Sequence, residues 1–140
     1  MSDNPFRKSL SPETIPALIY SENTKIGALL HKSLTMIGFT QIQVVSDEAS
    51  ALEAMGSFAP PRVVVMFANM KNAHDFSIVK NINKKRASTN RRTPKILAMM
   101  NPSSDEIVKA KAEGFWDVLP LPATPNVLAG RLETVMTRLD

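Results

Sequence analysis

The feature that most restricts this chain is an alternation of two periodicities that begins at Ile15. Five short apolar runs recur: PALIY (Pro16 to Tyr20), IQVV (Ile42 to Val45), RVVVMF (Arg62 to Phe67), KILAMM (Lys95 to Met100) and WDVL (Trp116 to Leu119). Between and after them lie five segments whose apolar residues fall at helical spacing. Runs that are apolar at consecutive positions suit strands covered on both faces, and a crossover helix must return the chain from one parallel strand to the next. The alternation therefore predicts an α/β domain: a doubly wound, parallel, five-stranded sheet with helices on both faces.

Local punctuation agrees with this reading. Ile26, Leu29, Leu30, Leu34 and Ile37 form one helical stripe, and Gly38 follows as a stop. Asp47 is placed to cap a helix over 47–58, and a further helix runs from His74 or Asp75 to about Lys85. Ser103 and Glu106 have the spacing of a capping box, with Gly114 as the terminator. Thr124 and Pro125 open a last helix whose stripe is Leu128, Leu132, Val135 and Leu139. Residues 1–14 lack periodicity and read as a flexible N-terminal arm, which leaves 15–140 as one domain.

Composition narrows the function. At 140 residues, 44% hydrophobic and 21% charged, the chain is sized and composed like one globular domain. Its 0 Cys exclude a disulfide framework, a thiolate zinc site and a cysteine nucleophile, and a reducing cytoplasm is the expected setting. No apolar run approaches the roughly 18 residues of a membrane helix, and the first residues lack a signal-peptide core, so no membrane insertion is expected. No nucleophile, base and orienting group can be assembled, and no cofactor or Gly-rich phosphate motif is present. An enzyme is not expected, and neither a cofactor nor a metal.

In element order, and in phrases such as KAEGFWDVLPLP, the stretch from Ile15 to Leu139 resembles the receiver domain of bacterial two-component response regulators. The resemblance implies a flavodoxin-like (βα)5 sheet of order 2-1-3-4-5, with a pocket at the carboxyl ends of the strands where the order reverses. Receivers gather there an acidic pair after the first strand, a phospho-acceptor aspartate ending the third, a hydroxyl residue ending the fourth and a Lys-Pro after the fifth. On this chain the corresponding positions carry Ser21 and Glu22, Phe67, Met99 and Leu121, and the aromatic switch position of the fifth strand carries Val118. The proline persists as Pro122, and the resemblance implies a cis Leu121–Pro122 bond. Glu22 alone keeps the family's chemical character.

Physical consequences follow from those residue types. A benzyl side chain cannot accept a phosphoryl group, and a hard divalent cation wants oxygen ligands that Phe67, Met99 and Leu121 do not supply. The resemblance is thus to a degenerate pseudo-receiver, in which Phe67 is expected to fill the pocket with apolar volume. Asp75, eight residues beyond Phe67, is the alternative acceptor should that register be displaced. His31 invites a phosphotransfer reading but stands alone on its helix and suits a solvated face. Met66, Met70, Met99 and Met100 suit adaptable core and loop packing.

The net charge of +4 is local. No acid lies between Asp75 and Asp105, while Lys80, Lys84, Lys85, Arg86, Arg91, Arg92 and Lys95 supply seven positive charges, so the rest of the chain is net 4 − 7 = −3. The leading expectation is a stand-alone, non-phosphorylatable signalling protein of a bacterial regulatory pathway. It would meet a protein partner, or a second copy of itself, on the surface of the fourth helix, fifth strand and fifth helix, with Lys109, Trp116 and Arg131 as contact candidates. The alternative is an effector that binds a cyclic dinucleotide or nucleic acid through the basic segment, with Lys84, Lys85, Arg86, Arg91 and Arg92 as its anion-binding residues.

Overall fold

The computed structural model of the protein describes residues 11–57, 59–68, 73–85 and 93–137. Its elements are β1 (Ala17–Ser21), α1 (Thr24–Ile37), β2 (Ile42–Val45), α2 (Glu48–Met55), β3 (Val63–Phe67), α3 (Ala73–Lys84), β4 (Lys95–Met100), α4 (Ser104–Ala112), β5 (Asp117–Leu121) and α5 (Pro125–Met136). All four strand pairings are parallel, and the order is β2-β1-β3-β4-β5. The expected topology is the observed one.

The sheet divides the interior into two cores. Val63 and Val65 of β3 join residues of α1 and α5, among them Leu30, Leu34, Leu128 and Leu132. Val64 and Met66 join residues of α2, α3 and α4, among them Met55, Val79, Ile82 and Ala110. These four side chains are fully buried, and Phe67, the fifth residue of β3, is partly buried. Burying an aliphatic side chain of this size is worth roughly 1.5–3 kcal/mol, so β3 contributes to both cores about equally. This is why its sequence reads as an unbroken apolar run rather than an alternating one.

Helix ends follow the sequence signals closely. Gly38 ends α1 at φ 124, in the left-handed half of backbone space that glycine tolerates. The Asp47 carboxylate accepts the Ser50 N–H at 2.7 Å and opens α2, and these bonds from Ser50 lower its pKa. Ser103 and Glu106 form the reciprocal capping box of α4. Thr124 accepts the Val127 N–H, with Pro125 in the first turn of α5. The Leu121–Pro122 bond is cis.

Three boundaries differ from the sequence reading. β5 starts one residue later than expected and continues through Pro120 to Leu121, because it is an edge strand and a proline there leaves no ladder bond unmade. α2 ends at Met55 with Gly56 as its cap; Phe58, where it was expected to end, lies outside the described residues, as does Leu139 of the α5 stripe. At the other end of the chain, Pro12–Thr14, the last part of the expected arm, form a 3-10 turn with Pro12 buried. The Glu13 carbonyl accepts the Thr40 hydroxyl and the Gln41 amide, which ties this turn to the α1–β2 connection. Residues 1–10 lie outside the described range.

The capping box offers a direct check. Ser103→Ala removes one of its two hydrogen bonds and should cost about 1 kcal/mol in denaturant unfolding, whereas Ser104→Ala, at an exposed position one residue further on, should be close to neutral.

Candidate functional site

The carboxyl ends of β1 and β3 lie side by side, with Ser21 opposite Phe67 in the register. Beyond them the chain turns into α1 and must satisfy its own polar groups. The buried Ser21 hydroxyl donates to the Asn23 carbonyl at 2.6 Å and accepts the Asn23 N–H at 3.1 Å, so it closes the β1–α1 turn. Asn23 in turn caps α1 by accepting the Ile26 N–H at 3.0 Å.

A cavity of about 210 Å³ opens beside this turn, lined by Tyr20, Glu22, Asn23, Phe67, Ala68 and Asp75, with Ile78 behind them. Two of the five residues placed here by sequence, Glu22 and Phe67, face it. Phe67 does not fill the cavity as expected: its ring is half-buried, packs against the α1/α5 core and forms one wall. A side chain ending a strand that belongs to one face of the sheet is drawn to that core, and the space above the other face stays open. Met99 and Leu121 are buried in opposite cores and do not line the cavity. Val118 is buried as well.

Tyr20 and Asp75 complete the site. The Tyr20 ring is 1% exposed, and its hydroxyl donates to Glu22 Oε2 at 2.7 Å. Burial, then the bond to Glu22 and the negative charges of Glu22, Glu48 and Asp75, hold the phenol well above the ordinary tyrosine value. Asp75 sits in the first turn of α3, where a carboxylate is favoured by the helix dipole. The cavity thus has two carboxylates, one of them bonded to a phenol, and an aromatic wall.

The remaining sequence candidates are spread over other surfaces. Lys109 is exposed on α4. Arg131 of α5 bonds Asp117 Oδ1 at 3.1 Å and the Val118 carbonyl at 2.9 Å, while Asp117 Oδ1 also accepts the Val118 N–H at 2.8 Å. Trp116 is half-buried, and with the exposed Lys84 and Lys85 it lines a separate cleft at the amino ends of the strands. Arg86, Arg91, Arg92 and Met70 lie outside the described residues. His31 is exposed on α1, and Met66 and Met99 are core residues, whereas Met100 is exposed.

No protein-family model and no curated protein sequence matches the chain. Solved structures do. A Francisella response-regulator receiver domain superposes with a TM-score of 0.70 at 20% identity, covering 90% of this chain and 99% of that one. The fold is that of a receiver domain. The chemotaxis protein CheY4 of Vibrio cholerae gives 0.69 at 23% identity, covering 86% and 98% of the two chains. A Burkholderia pseudomallei protein described as pilus assembly-related gives 0.73 at 15% identity, covering 92% and 94%. In receiver terms, the cavity beside Phe67 occupies the switch-point crevice, where sheets of this order bind their ligands. Among the described residues, no helix is long and apolar enough to cross a membrane.

Tyr20 is the only tyrosine, so phenolate absorbance reads one group. Because the folded phenol holds its proton to higher pH than the unfolded one, the unfolded state is the first to release it. This contribution to stability is whole below pH about 10 and falls away as the pH rises beyond it. The urea-unfolded chain should titrate near 10, and the native protein only at higher pH or together with unfolding. Tyr20→Phe should cost about 1 kcal/mol at neutral pH and flatten the alkaline decline. Native titration near 10 would contradict the burial of this hydroxyl.

Proposed function

We propose that the protein is a receiver-like signalling module that works without phosphorylation at the end of β3 and acts by binding a protein partner. The observation that carries this reading is Phe67, the residue that ends β3 opposite Ser21 at the switch-point crevice. A benzyl group offers no nucleophile for phosphoryl transfer. Its neighbours support the same reading, since the Ser21 hydroxyl is used inside the β1–α1 turn and Met99 and Leu121 are core residues.

The magnesium ion that receivers use does not suit this donor set. Magnesium asks for near-octahedral oxygen coordination, with one or two carboxylates fixed around it. Here Glu22 is engaged by the Tyr20 hydroxyl, Phe67 supplies no oxygen, and no cluster of three His, Asp or Glu suited to a metal occurs among the described residues. Asp75 lines the cavity from a helix rather than from the strand end, away from the position of a strand-borne acceptor.

A partner face is supported on α4, β5 and α5. Val108 of α4 and Val127 of α5 are 67% and 45% exposed, large apolar groups beside the charged Lys109 and Arg131. The β5 backbone is not offered to a new strand: Val118 bonds to the Asp117 and Arg131 side chains, and Pro120 has no N–H. A partner at this face docks through side chains, and a second copy of the chain is one form it can take.

Two measurements test the reading. Treatment with acetyl phosphate, or with beryllofluoride, in the presence of magnesium should leave the intact mass and the amide NMR spectrum unchanged. Phe67→Asp alone should not restore a response. A stoichiometric adduct, on Asp75 or elsewhere in the cavity, would overturn the phosphorylation-independent assignment. Separately, replacing Val108 and Val127 together by Glu should weaken self-association or partner capture by roughly tenfold or more while leaving the melting temperature in place. Unaltered association would move the partner surface elsewhere.

A further inference from the structure

The cleft at the amino ends of the strands is independent of the receiver crevice and of the reading just given. It lies among the end of α3, the start of β4 and the turn from α4 into β5, and holds about 250 Å³. Since the sheet is parallel, the whole of β4, on the order of 20 Å at about 3.3 Å for each of its six residues, separates this cleft from the crevice. We propose that it binds a mononucleotide, with its phosphate on Lys84, Lys85 and Lys95 and its base against Trp116.

Charge is the first support. Three lysines line the cleft against the single acid Glu113, a balance of 3 − 1 = +2. Lys95 is 4% exposed, and its ammonium is positioned by a 3.2 Å bond to the Thr93 carbonyl. A strand-borne, nearly buried ammonium is held in place far better than a surface lysine, and it concentrates positive potential in a low-dielectric wall. Lys85 is also constrained: a Cβ on Gly56 would lie 2.9 Å from its Cε, so the glycine leaves room for the lysine stem to cross the end of α2. Lysines at the end of a helix also complement its dipole, which accounts for Lys84 and Lys85. That account does not extend to Lys95 on β4 or to Trp116 in the turn.

Shape and aromatic surface select the ligand. Trp116 packs on the α1/α5 core and lines the cleft, and its backbone N–H donates to the Lys95 carbonyl at 2.9 Å, which holds the two residues side by side. An indole beside ammonium groups suits a planar base carrying a phosphate, since stacking on an aromatic face tolerates any base. The Asn83 amide bonds the Glu113 carbonyl and closes the side of the cleft near Gly114. Ligand sites for drug-sized molecules run from about 300 Å³ upward, so a cleft of about 250 Å³ favours a small ligand with a single base over one with two.

Trp116 is the only tryptophan, so its fluorescence reports this site directly. Titration of the full chain with adenosine and guanosine monophosphates should give a saturable, one-to-one change, and inorganic phosphate alone should bind more weakly. Lys84→Ala, an exposed change that spares the core, should weaken binding by about tenfold, equivalent to about 1.4 kcal/mol. Lys95→Met should do the same or more, with circular dichroism showing whether it folds. The absence of a saturable change at millimolar nucleotide would overturn the proposal, as would equal affinity for inorganic phosphate or indifference to Lys84→Ala. Binding confined to a cyclic dinucleotide or to duplex DNA, the latter with a steep salt dependence, would overturn it too.

Discussion

Burial of β3 on both faces fixes the geometry of this molecule. Val63 and Val65 enter the core beneath α1 and α5, Val64 and Met66 the core beneath α2, α3 and α4, and none is exposed. A slip of one residue would exchange these two sets and send Phe67 to the opposite face. With the register held, Phe67 emerges at the carboxyl end beside Ser21. The identity of that one residue then decides what the crevice can do, and the strand that places it there is stabilised whatever the residue is.

Around Phe67 the polar groups are satisfied within the chain. Ser21 closes a turn, Asn23 caps a helix, and Tyr20 binds Glu22. A buried hydroxyl without such a partner would cost on the order of 1–3 kcal/mol, so Glu22 has a structural use that does not depend on any metal. Asn81 similarly donates to Glu48 at 2.8 Å, tying α3 to α2 near the same end. The crevice of this receiver fold is organised as packing and capping, which is consistent with a module read by its surface.

Much of this was legible in the sequence because the signals were local. Ser103 and Glu106 announced a capping box through their spacing alone, and Asp47, Gly38 and Thr124–Pro125 marked other helix ends. Where tertiary position decides the outcome, the boundaries move: the fifth apolar run ends at Leu119, yet the edge strand continues through Pro120 to Leu121. In the site, counting along the strands located Glu22 and Phe67; Tyr20 is a core residue, as its apolar run implies, but that run does not show the bond of its hydroxyl to Glu22. A usable signal was present, since Glu22 lies two residues after Tyr20, immediately beyond the end of β1. The open volume beside Phe67 depends on which core its ring prefers, and no spacing rule carries that information.

The two ends of the sheet have opposite electrostatic character. Glu22, Glu48 and Asp75 gather near the Tyr20 hydroxyl at the carboxyl end, and Lys84, Lys85 and Lys95 gather at the amino end. The distance between them, set by strand length, is on the order of 20 Å. At physiological ionic strength the Debye length is about 8 Å, so exposed charges at one end barely feel those at the other. The charges of each end therefore act almost independently of those at the other. Any communication between them has to pass through packing, and the shortest packed route is β4, whose Lys95 faces the basic cleft and whose Ala98 lies beside Phe67 in the register. β4 is buried along all but its last position, so it joins the two ends through close-packed side chains rather than through solvent.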